Sequence, residues 1–318
     1  MKKLDSMNRI EYIDIAKGLV IVLMVLGHSS IPMRLSDWIF SFHMPFFFLI
    51  SGVMTNWDKY GPKQFVWHKF KTLMIPFVIY SLCNIAIYPM YGELSLGEFV
   101  MHLLQRGWEG YALWFVPVLF LGLCLAKFVV TTNWTLLSVV LLWGIGGMLD
   151  YLHINLPWTL STVPIATSFI LIGVRFRDIL IFQISIKYQR ILLVVALCGG
   201  AVLSLVHKTD LAWNHVNPLY ITISAALMGY VFVMIFSKFM YACLSKKIYM
   251  GIIRIGRETF VILAFSQCVI KILNANFALS VIAKYLMLCL VLFLIVIIKN
   301  IMKNAYIYNT HSTTERCS

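Results

Sequence analysis

Apolar residues in this chain come in long unbroken runs, separated by short polar stretches that carry Lys and Arg. A helix needs roughly 20 apolar residues to cross the hydrocarbon core of a bilayer. Runs of about that length fall at 13–31, 36–54, 72–90, 111–130, 134–150, 157–174, 190–206, 217–237, 255–274 and 281–299. A helix pairs its own backbone groups, which lipid cannot do for it. The pattern therefore predicts an all-α fold: a polytopic transmembrane helix bundle of about ten spans. It divides the chain into an N-terminal segment (1–12), a membrane domain (13–299) and a polar tail (300–318) expected to be disordered. Lys2 and Lys3 ahead of the first run resemble a signal peptide. That run contains His28, lacks a small-residue cleavage pattern and is followed at once by a second run, so it reads as a retained span. The longest outer connection, 91–110, holds Leu94, Leu96, Phe99, Val100, Leu103 and Leu104; it is either an interfacial helix over the outer mouth or an ordinary surface connection.

Charge sets the orientation. With the N-terminus in the cytoplasm, five of the 26 Lys and Arg residues (Arg34, Arg106, Lys208, Lys271 and Lys284) fall outside and the other 21 inside. That bias obeys the positive-inside rule and places both termini in the cytoplasm, which requires an even number of spans.

Composition agrees with the pattern. Hydrophobic residues make up 61% of the chain and charged residues 12%, against about 25% charged in a soluble domain. The net charge of +13 does not mark a nucleic-acid binder, because the basic residues sit between apolar runs and not on one face of a soluble fold. The seven cysteines are scattered, with no CxxC pair, which excludes a disulfide framework or zinc site as the organising feature.

Ionisable groups inside spans are costly and mark functional positions. The first span, IDIAKGLVIVLMVLGHSS, carries Asp14, Lys17 and His28. On a helix, Lys17 and His28 lie within about 20° of one face and ~16 Å apart along the axis, and Asp14 falls about 40° to the other side of His28. One stripe thus presents a charged pair near the cytoplasmic end and an imidazole much further out. The second span contains FSFHMPFFFLISG, with His43 at a depth similar to His28 and Pro45 loosening the helix beside it. Tyr111 and Trp114 of YALWFVPVLF, and Trp158 beside Pro157, either form an interfacial aromatic belt or line a sugar-binding mouth. Lys69 and Lys71 of WHKFKTLMIPF, with Lys17 and Arg175, either contact an anionic ligand entering from inside or anchor the chain at acidic lipids.

The Lys17–x10–His28 spacing resembles the Arg/Lys–x10–His motif of the acyltransferase-3 family of membrane acyltransferases. IDIAKGLVIVLMVLGHSS followed by FSFHMPFFFLISG is similar to its branch related to fucose 4-O-acetylase. LMIPFVIYS, YALWFVPVLF, LPWTLSTVPIATSFILIGVRFR and IGRETFVILAFSQ match later blocks in order, so the resemblance covers about residues 10–270. It implies a ten-span enzyme of the bacterial cytoplasmic (inner) membrane. Such an enzyme moves an acetyl or other short acyl group from cytoplasmic acyl-CoA to a hydroxyl of a surface polysaccharide or its lipid-linked precursor. By position, His28 matches the family's essential histidine, Lys17 its basic partner and His43 the histidine of the second block. Two positions depart from the branch: Thr72 stands where an Arg is common, and Gln267 where a His is common.

These readings set the expectations. The catalytic candidates are His28, His43 and Lys17. The donor, acetyl-CoA or another acyl-CoA, is expected at Lys17, Lys69, Lys71 and Arg175. The acceptor is expected at Asp14, Trp114, Tyr111 and Trp158. A histidine is suited to taking the acceptor's proton near neutral pH, with His43 a candidate donor to the oxyanion. No metal is expected, nor nucleic acid; membrane lipid is an obligatory partner. The rival reading is a transporter or flippase of a lipid-linked glycan, which predicts inverted repeats or paired broken helices and gives no reason for the Lys17–His28 spacing.

Overall fold

The structure, a computed structural model, describes residues 11–90, 97, 111–132, 134–180, 186–278 and 280–315. Its long elements are α1 (Glu11–Gly27), α2 (Met33–Met54), α3 (Pro62–Ile87), α4 (Phe115–Val130), α5 (Thr135–Tyr151), α6 (Val163–Arg175), α7 (Ile186–Val206), α8 (Leu219–Cys243), α9 (Lys246–Arg257), α10 (Thr259–Asn276) and α11 (Val281–Glu315). Among the described residues there is no β-strand, and the chain is an all-α membrane bundle. Eight of its helical segments are long and apolar enough to span a bilayer. α1 and α5, at 17 residues each, are shorter. The 91–110 connection, with both of its readings, lies outside the described residues except for position 97.

α1 and α2 form the centre. α1 packs on α2, α8, α9 and α10, while α2 also packs on α6, α7 and α8. Glycine sets a close seam here: a Cβ on Gly52 of α2 would run into the Ile170 carbonyl of α6, and one on Gly173 of α6 into the Leu49 carbonyl of α2. Small residues at such crossings let two backbones approach where lipid supplies no hydrophobic drive. Outside this centre, large apolar side chains stay exposed along α3, α5, α7 and α11: Ile79, Leu82, Val140, Leu141, Val194, Leu205, Leu286 and Phe293 among them. In water such a rim would aggregate; in lipid it is solvated.

Three elements differ from the sequence expectation. The third span begins at Pro62, because WHKF is already helical and a π-turn at Phe70–Met74 carries the helix through the basic segment. The polar stretch before α10 is a helix, α9, whose Ile253 and Gly256 are buried against α1 while Lys246, Lys247 and Arg254 point away. Its mixed composition hides it from a hydropathy reading, although its apolar residues recur at helical spacing. At the C-terminal end α11 continues to Glu315, past position 300, where a disordered tail was expected.

Candidate functional site

α1 ends at Gly27, and the N–H of the next residue, His28, still donates to the Met24 carbonyl at 3.2 Å, so the helical stripe holds out to the imidazole. The turn into α2 is fixed by short bonds. The Ser29 hydroxyl donates to the Leu26 carbonyl at 2.6 Å, and the Ser36 hydroxyl to the Gly27 carbonyl at 3.0 Å. The Tyr285 hydroxyl of α11 reaches Ser29 at 3.1 Å. This tight hairpin brings His28 and His43 together: their ring centroids are 6.2 Å apart and nearly perpendicular, at 86°. Phe40 stands edge-on to both, 4.9 Å from His28 and 5.0 Å from His43.

His43 is 3% exposed. Its Nδ1 lies 2.9 Å from the Ile39 carbonyl. A carbonyl only accepts, so Nδ1 carries the proton and the neutral ring keeps Nε2 as an acceptor. An oxyanion-donor role for His43 would therefore need a second proton on Nε2. α2 runs unbroken past Pro45, which has no N–H to offer the Ser41 carbonyl one turn back.

At the other end of α1, Lys17 Nζ lies 2.7 Å from Asp14 Oδ1, and Arg257 Nε lies 3.6 Å from Asp14 Oδ2. Asp14 is buried. Asp14, expected at the acceptor, faces these two cations. Arg257 comes from the end of α9, held on α1 by a second glycine seam. A Cβ on Gly18 would meet the Ile252 carbonyl at 2.5 Å, and one on Gly256 would run into the Asp14 carbonyl. Lys299 pairs with Glu258 beside Arg257, tying α11 to the same corner. Arg257 lies in the IGRETF block, but only the packing of α9 on α1 reveals its partner.

The other basic candidates point in different directions. Lys69 and Lys71, two residues apart on a helix, take roughly opposite sides of α3. Lys69 Nζ turns inward to 5.4 Å from the ring of buried Phe65, whereas Lys71 Nζ lies 5.5 Å from the ring of exposed Trp67. Phe65 stacks on Trp57 at 5.6 Å and has a second cation 5.7 Å away, Lys127. Lys127 is 6% exposed and donates to the Trp57 carbonyl; sequence reading had counted it only toward orientation. Arg175 is exposed at the end of α6, 5.8 Å from the Phe176 ring. Thr72 donates to the His68 carbonyl at 3.0 Å.

Tyr111 and Trp114 occupy a 3-10 turn leading into α4, and Trp114 packs partly buried against the core. Trp158 stands in a turn with left-handed backbone at Trp158 (φ 59°) and Thr159 (φ 58°). That turn meets an ordered connection between α7 and α8, where Thr162 donates to the Leu211 carbonyl at 2.6 Å. Asp150 of α5 accepts there from the N–H groups of Val216 and Asn217 at 2.9 and 2.7 Å. Burial pushes the Asp210 carboxyl of the same connection above its ordinary range, against the bond it accepts from Ala212. Among the described side chains, no contact links Trp114 or Trp158 to His28. Among the described residues no group of three or more His, Cys, Asp or Glu is placed to hold a metal ion.

A multi-pass helix bundle with paired histidines at one end of its central hairpin and a charged corner at the other defines the class. The chain matches the acyltransferase-3 family model, described as an acyltransferase domain, over residues 10–301, and it belongs to that family. No curated protein and no solved structure matches it.

Proposed function

We propose that this acyltransferase moves an acetyl or other short acyl group from cytoplasmic acyl-CoA to a hydroxyl of a surface polysaccharide or its lipid-linked precursor. The setting is a bacterial cytoplasmic membrane crossed ten times, with α1 and α5 among the spans and both termini inside. The observation that carries the reading is the His28–His43 pair at the far end of the helix that holds Lys17. Acyl-CoA combines anionic phosphates with a long flexible arm. Its phosphates stay at the basic inner face, near Lys17, Arg257 and the inward-turned Lys69 and Lys127, with Arg175 at the rim. The arm carries the thioester some ~16 Å outward along α1, at 1.5 Å per residue.

At the outer end the acceptor oxygen attacks the thioester carbonyl. The new C–O bond forms as the hydroxyl proton passes to His28, a step that contributes typically about 10²–10⁴-fold. The tetrahedral centre then expels the sulfur, the C–S bond breaks, and the proton leaves with CoA as its thiol. His43 presents Nε2 as an acceptor for a second hydroxyl of the sugar, which orients the reacting hydroxyl toward His28. Trp114, Tyr111 and Trp158 flank the route by which the sugar arrives.

The test is the surface glycan of the producing cell. Deleting the gene removes base-labile acyl esters from the glycan while its amount stays constant, and the wild-type gene restores them. Unchanged esterification with less glycan outside would replace this reading with the transporter.

A further inference from the structure

Five residues of α3 form one stripe: Lys63, Val66, Trp67, Phe70 and Lys71 follow i, i+3, i+4, i+7 and i+8 spacing, which places them on one helix face. With Pro62 and Phe128 of α4, the first four line a groove of about 580 Å³. Its walls are apolar and fixed: the Trp67 and Phe70 rings stack at 5.7 Å with only 5° between planes, and Phe70 meets Phe120 edge-on at 6.1 Å. The groove opens outward, for Trp67 is 59% and Phe128 55% exposed. Helical side chains lean toward the N-terminus, and Lys71 does so here, its ammonium lying over the Trp67 ring one turn back. Lys63 lines the groove where α3 starts, and the Lys71 ammonium reaches back over Trp67 in that direction.

We propose that this groove is a binding site for one anionic glycerophospholipid. Its phosphate is held between Lys63 and Lys71, and an acyl chain lies along Trp67, Phe70 and Phe128. The charge is complementary, since two ammonium groups and no carboxylate belong to the stripe. A zwitterionic lipid offers the same chains but cancels its phosphate with its own cation. On the topology proposed above the groove faces the inner leaflet; the site and its charge preference do not depend on that topology.

The experiment places the full-length protein in phosphatidylcholine nanodiscs. It titrates in phosphatidylglycerol or further phosphatidylcholine bearing brominated acyl chains, which quench nearby indoles. The signal of Trp67 is the difference between wild type and Trp67→Phe. Brominated phosphatidylglycerol should quench Trp67 at a roughly 30-fold lower mole fraction, as expected of two lysines at an anionic lipid. The preference should vanish in Lys63→Gln/Lys71→Gln and persist in Lys63→Arg/Lys71→Arg. Equal quenching by the two lipids, or a preference that survives the glutamine pair, overturns the proposal. The readout contains no acyl transfer, so it stands or falls apart from the enzymatic reading.

Discussion

His43 gives its Nδ1 proton to the carbonyl of Ile39, 2.9 Å away and one turn earlier on the same helix. That bond puts the proton on Nδ1 and leaves Nε2 of the neutral ring unprotonated, which assigns His43 the part of an acceptor.

A basic Nε2 and a well-packed ring make different predictions. His43→Ala should lower acyl transfer by about 10²-fold or more. His43→Asn keeps an amide able to bond the Ile39 carbonyl but has no basic nitrogen, and it should be equally impaired. Kinetics with labelled acyl-CoA in membranes separate the two; recovery in the Asn variant would reduce His43 to a packing residue.

The corner formed by Asp14, Lys17 and Arg257 should act on the donor. Arg257→Gln should raise the apparent acyl-CoA requirement about five- to tenfold, equivalent to roughly 1 kcal/mol, with little change at saturating donor. Arg257→Lys should recover part of it. Donor titrations at fixed acceptor read this directly, and an effect confined to the acceptor would contradict the assignment.

Two glycines of α9 should respond in opposite directions. At Gly256 a methyl group meets the Asp14 carbonyl and the Gly18 backbone; at Gly251 nothing lies within 4 Å. Gly256→Ala should cost about 1–3 kcal/mol through overpacking, whereas Gly251→Ala should gain up to about 1 kcal/mol from helix propensity. Thermal unfolding in detergent should show one midpoint falling and the other holding or rising.

Asp150 should govern the ordered connection between α7 and α8. Asp150→Ala strands the N–H groups of Val216 and Asn217, which cost about 1–3 kcal/mol when left unsatisfied. Limited proteolysis of detergent-solubilised protein should then cut within 207–218 at a rate that wild type does not show.

How far the sequence foretold these features follows from the period of each signal. Spans were legible because each is a continuous apolar run, and the Lys17–His28 stripe because eleven residues make just over three whole turns. α9 was not, since Tyr249, Ile252, Ile253 and Gly256 are too few to outweigh its Lys and Arg in any hydropathy window. The opposed turning of Lys69 and Lys71 follows from helix periodicity once WHKFKTLM is known to be helical, yet that stretch read as a polar lead-in. Partners distant in sequence were beyond reach: Arg257 meets Asp14 only because two glycines let α9 lie against α1. Likewise, Lys127 donates to the Trp57 carbonyl across 70 residues.

The central claim is that His28 takes the acceptor's proton at the outer end of α1. Membranes carrying wild type or His28→Ala, supplied with labelled acetyl-CoA from the cytoplasmic side, test it most directly through label fixed in the surface glycan. The variant should bind acetyl-CoA as wild type does and transfer at least about 10²-fold less label. Transfer near the wild-type rate would remove His28 from the chemistry and leave the hairpin as packing.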